Sequence, residues 1–80
     1  MSKTKARVQA IISFSDDGKM QPLYIAHCGE SRKVLSSYVS HEDLAWITYE
    51  CSIQMDNIVR SVTLLYSIRE HAWDMVYQIM

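Results

Sequence analysis

Val8, Ala10, Ile12 and Phe14 alternate along the chain with Arg7, Gln9, Ile11 and Ser13. A period of two marks a strand with one face buried. Asp16-Asp17-Gly18-Lys19 follows, and Asp-Gly supplies the positive backbone angles that a hairpin turn requires. Leu23 to Ala26 then predicts a second strand, with Pro22 at its start or on a sheet edge. Cys28-Gly29-Glu30-Ser31 predicts the next turn, and Val34, Leu35 and the residues to Tyr38 a third strand.

The second half supports two patterns. Ile47, Tyr49, Cys51, Ile53 and Met55 alternate with Thr48, Glu50, Ser52 and Gln54. Met55-Asp56-Asn57 reads as a turn. Val62, Leu64, Tyr66 and Ile68 alternate next, with Leu65 as the exception, and Trp73, Met75, Tyr77 and Ile79 follow a turn at Arg69-Glu70-His71. Leu44, Ile47, Cys51, Met55, Ile58, Val62 and Leu65 also recur at the three-and-four spacing of a helix. Ser40 with His41, Glu42 and Asp43 resembles a helix cap with an acidic first turn. The 51 residues after Gly29 contain no glycine or proline, which also suits helix. Strand is favoured because the alternation is strict in separate windows and carries β-branched and aromatic residues, which fit a pleated surface. Turn residues also recur every 8–12 positions, the spacing of a small barrel or sandwich.

The expected fold is all-β, with five or six short antiparallel strands in a small barrel or sandwich. The alternative is α+β, a three-stranded sheet with two C-terminal helices. Residues Ser40 to Ala45 are expected to make at most one helical turn between strands. Residues 1–80 form a single small domain, with 1–5 as a flexible lead. The chain is 49% hydrophobic, enough for a core. Eight basic residues stand against nine acidic ones, a net charge of −1. That balance exerts no global pull on nucleic acid or anionic lipid, and weak self-repulsion favours association. Two cysteines are too few for a secreted disulfide scaffold, so both are expected as reduced thiols in a cytoplasmic protein. No apolar run has the length of a signal peptide or a membrane helix.

The stretch Arg7 to Tyr24, with Tyr49-Glu50-Cys51, Val62-Thr63-Leu64-Leu65-Tyr66 and Glu70-His71-Ala72-Trp73, resembles small, uncharacterised, mostly-β proteins encoded by mobile elements of Firmicutes. The resemblance covers about half of the chain and mostly encodes strand, turn and strand. It implies an all-β fold and a mobile-element origin, and it carries over no catalytic residue. Such elements encode short accessory proteins, among them inhibitors of host defence nucleases and components of conjugation.

Candidate chemistry is sparse. His27, Cys28, His41, Cys51 and His71 are possible metal ligands, but none falls in a pair with zinc-site spacing, so no metal and no cofactor is expected. Cys28 with His41 or His71 and with Glu42 or Glu70 would give a cysteine–histidine–carboxylate set only if the fold gathered them. No glycine-rich phosphate loop exists. The expected function is therefore a non-enzymatic protein-interaction module, binding a protein partner, a second copy, or both. If Val8, Ile12, Ile47, Tyr49, Val62 and Leu64 point inward, Ile11, Trp46 and Leu65 point outward. Those three are the expected apolar anchors, with Arg32 and Lys33 on a polar rim. The alternative is a small barrel that binds single-stranded RNA or DNA through Lys5, Arg7, Tyr24, Arg32 and Lys33.

Overall fold

The alternating segments become six strands in the computed structural model, which describes residues 2–79. They are β1 (Ser2–Phe14), β2 (Met20–His27), β3 (Glu30–Glu42), β4 (Trp46–Met55), β5 (Ile58–Ser67) and β6 (Ala72–Ile79). Each pairs antiparallel with the next, and β6 returns to β1, closing an all-β barrel. Among the described residues no helix forms, so the fold with two C-terminal helices is not adopted. The reason lies in the β4–β5 hairpin. Its ladder runs without a slip from Trp46↔Ser67 to Met55↔Ile58. This register places Tyr49, Cys51 and Ile53 beside Val62 and Leu64 in the core. The three-and-four spacing of apolar residues in this region is a by-product of two strands joined by a turn.

The short turns use left-handed backbone. Cys28 and Gly29 have φ of 53° and 79°, the pair of positive angles that twists with the flanking strands. The segment Ser40 to Ala45 does not make a helical turn, because β3 continues through Glu42. Asp43 instead closes the β3–β4 turn, its Oδ1 accepting from the amides of Ala45 and Trp46, each at 2.8 Å. The cap is thus Asp43 and not Ser40, whose hydroxyl donates to the Thr48 carbonyl on β4, and it closes a turn between strands. Residues 2–5 are not a free lead either. They pair with β6 from Ser2↔Ile79 to Lys5↔Val76 and help to close the barrel.

Two long strands change partners midway. β1 pairs with β6 through Val8 and with β2 from Gln9 onward. β3 pairs with β2 through Lys33 and with β4 from Val34 onward. The antiparallel order places the β1–β2, β3–β4 and β5–β6 turns at one end, here the upper end. The Cys28-Gly29 and Asp56-Asn57 turns lie at the lower end.

The interior is filled by Val8, Ile25, Val34, Tyr49, Cys51, Ile53, Val62, Leu64, Trp73 and Met75, with Ile12, Ile47 and Tyr66 packed against them. Tyr49 and Tyr66 flank the Trp73 ring at centroid distances of 5.5 and 4.8 Å. Cys51 is a free thiol in this core, while Cys28 is free and exposed. Burial pushes the Cys51 thiol up to about 12, with a smaller contribution from the carboxylate of Glu50.

Candidate functional site

The wall between β2 and β3 is only half closed. Their ladder covers Tyr24↔Lys33 to His27↔Glu30 at the lower end and then stops. Both strands are irregular where they part. Leu23 is the extra residue on β2 between the pairs Ile11↔Tyr24 and Ile12↔Pro22. Leu35 is the extra residue on β3 between Val34↔Ile53 and Ser36↔Ser52. A bulge bends its strand and increases local twist, so two bulges at one fork turn the strands apart. Pro22 lies just above the fork on β2 and has no N–H to offer across the gap.

The resulting gap holds a cavity of about 500 Å³ between Phe14, Met20 and Gln21 on one side and Ser37, Tyr38 and Val39 on the other. It shares Phe14, Lys19, Met20, Val39 and Tyr49 with a larger hollow of about 560 Å³ at the upper mouth, where Glu42, Ile47, Tyr66 and Ile68 complete the lining. The β1–β2 hairpin thus overhangs the mouth with apolar residues on its underside. Tyr49 forms part of the floor. Burial holds its phenol above the ordinary range, so it stays a donor, and its Oη donates to the Met20 carbonyl at 3.3 Å. This bond crosses the region where β3 makes no ladder with β2. Tyr66 Oη and His71 Nδ1 are 3.0 Å apart at the far rim.

The mouth is acidic. Asp17 and Glu42 line it, and Asp16 neighbours Asp17 in the β1–β2 turn. The Ser15 hydroxyl and then the Lys19 amide bond to Asp17 and hold its carboxyl below the ordinary range. Lys19 Nζ stands 4.0 Å from the same carboxylate.

The residues singled out from the sequence separate into different places. Ile11 is 61% exposed on the outside of β1. It faces Tyr24 across the β1–β2 ladder, and Tyr24 faces Lys33 across β2–β3. These three make one outward row beside a shallow hollow of about 340 Å³. Arg32 does not join them. Its side chain is 18% exposed, and its guanidinium pairs with Glu30 and lies 3.6 Å from Asp56 Oδ1 at the lower end. Trp46 and Leu65 sit half-buried on the opposite wall. Lys5 Nζ lies 5.7 Å from the Trp46 ring centroid, and Leu65 pairs across the sheet with Thr48 and Asp74. Asp74 accepts a 2.8 Å hydrogen bond from Arg7 Nε and lies 3.8 Å from Lys5 Nζ. The basic residues chosen for nucleic acid are therefore divided, with Lys5 and Arg7 paired to Asp74 and Glu70 on one wall and Arg32 at the lower end.

The sequence did not mark Leu23, Leu35 and Val39 as site residues, and its alternation placed Phe14 with the core. No local signal marks the two leucines, because a bulge depends on the register of the neighbouring strand. The possible cysteine–histidine–carboxylate set is not assembled, because Cys28 is at the lower end while His41, Glu42, Glu70 and His71 are at the upper end. Among the described residues no three histidine, cysteine or acidic side chains gather as a metal site.

No family model, curated protein or solved structure matches this chain.

Proposed function

We propose that the chain is a non-enzymatic protein-interaction module, and that its recognition surface is the side formed by β1, β2 and β3. One observation carries this reading. Ten large apolar residues stand exposed among the described residues, and all but Leu44, Ile58 and Val59 lie on those three strands. They surround the fork: Ile11, Leu23, Tyr24 and Leu35 on its outer side, Phe14, Tyr38 and Val39 along the gap. Apolar residues concentrated on one side of so small a barrel, with charged groups at the margin, have the composition of a binding patch. Trp46 and Leu65 move from anchors to supporting wall. Ile11 and Lys33 remain in the proposed surface, as one anchor and one rim cation. The resemblance to mobile-element proteins extends the proposal to a cytoplasmic accessory protein that binds a host protein, such as a defence nuclease.

Affinity capture from a bacterial lysate, with and without nuclease, tests the reading when run on paired variants. Tyr38→Glu and Leu35→Glu change exposed side chains on the proposed face, and Val59→Glu changes one outside it. The expected result is a stoichiometric protein that survives nuclease, is retained by Val59→Glu and is lost with either of the other two. Nuclease-sensitive material that depends on Lys33 and Tyr24 would overturn the proposal in favour of single-stranded nucleic acid.

A further inference from the structure

We infer that the gap between β2 and β3 is a receptor for an extended peptide strand, which adds to the open edge of β3 and directs an apolar side chain into the cavity beneath. This inference rests on the interaction-module reading and names the chemistry of the partner. The first support is the backbone. From Val34 to Glu42, β3 is laddered to β4 on one edge only. An unpaired edge presents a row of main-chain donors and acceptors, which an incoming strand satisfies directly. β2 does not compete for them, because Pro22 lacks an N–H and the Met20 carbonyl already receives the Tyr49 hydroxyl.

The second support is the space beside that edge. The cavity of about 500 Å³ lies between the two strand margins and opens into the mouth. Phe14 and Val39, 66% and 47% exposed, would flank an inserted side chain. The margin of β2 that faces the gap spans Met20 to Leu23. At roughly 3.3 Å per residue, a strand of about four or five residues fills it.

The third support is charge. Asp17 and Glu42 line the upper mouth, with Lys19 held against Asp17. A segment that alternates apolar with basic residues complements both the cavity and its rim. An acidic segment meets like charge there. A small lipophilic molecule would fill the hollow but leave the β3 edge unpaired, so the strand is the occupant that uses both features.

The probe is a seven-residue blocked peptide of alternating Lys and Val, titrated into the isotope-labelled full chain and followed by amide chemical shifts and hydrogen exchange. The expected result is saturable binding with the largest shifts and new protection at Leu35 to Val39. Methylating alternate peptide amides on one edge weakens binding at least tenfold. Replacing Lys by Glu in the peptide does the same, as does Val39→Lys in the protein, while Val59→Lys leaves binding unchanged. Equal affinity for the methylated peptide, or shifts centred away from β3, would overturn strand addition. So would failure of the peptide to bind at all. Concentration-dependent protection of the same amides without peptide would overturn it in favour of a second copy. If lysate capture still depends on Tyr38 while the peptide result is negative, only the strand inference falls. If capture does not depend on that face, the module reading itself falls.

Discussion

Asp74 shows how much a single position decides. Its residue is only 7% exposed, yet it sits on the outward side of β6, opposite Arg7. The carboxylate stays covered because Arg7 and Lys5 fold over it. Removing Arg7 leaves that carboxylate without its directional donor. Arg7→Ala is expected to cost about 1–2 kcal/mol, and Lys5→Ala less than about 1 kcal/mol, since its ammonium is more distant and solvated. Urea midpoints with unchanged slopes would check both. Cys51 gives a pH signature. Its thiol titrates near 9.0 when unfolded and near 12 when folded, so the folded state holds the proton longer. Its contribution is complete below pH 9 and is lost as pH rises toward 12, at about 1.4 kcal/mol per pH unit. Cys51→Ser is expected to remove that onset when stability is measured against pH. The alternation already marked Cys51 as core, because position within a strand fixes its face. Phe14 obeyed the same alternation yet stands exposed, because the barrel is open where β1 ends.

At the scale of the element, β1, β4, β5 and β6 were legible from a period of two, and β2 and β3 from apolar runs bounded by turn residues. The fork was not. A bulge at Leu23 or Leu35 depends on the register of the neighbouring strand, and that register is set by contacts far away in the chain. The half-closed ladder predicts uneven amide exchange. Amides of β4 and of Thr63 to Ser67 on β5, paired on both sides, are expected to exchange most slowly. Those of Leu35 to Val39 on the free side of β3 are expected to exchange much faster than these. Site-resolved hydrogen exchange would show the contrast, and uniform protection through β3 would contradict a half-closed wall. The lower β2–β3 turn has its own test. A Cβ at Gly29 meets no atom within 4 Å, so the cost of Gly29→Ala comes from its φ of 79° alone. About 1 kcal/mol is expected, read from thermal or urea unfolding.

At the scale of the molecule, the barrel exists only when β1 meets β6, the first and last strands. Every other ladder joins neighbours in sequence. Closure therefore brings together the two parts of the chain that are furthest apart, and it comes at the entropic cost of a long loop. Deleting residues 1–5 removes the ladder from Ser2↔Ile79 to Lys5↔Val76. The shortened chain is expected to keep a strand-dominated circular dichroism spectrum while unfolding at lower temperature. Strong helical minima in the intact chain would contradict the fold itself.

The same closure sets Ser2 beside Ile79 at the lower end, opposite the acidic mouth. The order in which the six strands are strung is then separable from the shape they make. A short linker between those positions, with the chain cut instead at Asp56-Asn57, would rewire the protein as a circular permutant. The overhanging hairpin would keep its place, and a label fused at either original end would project away from anything the gap holds.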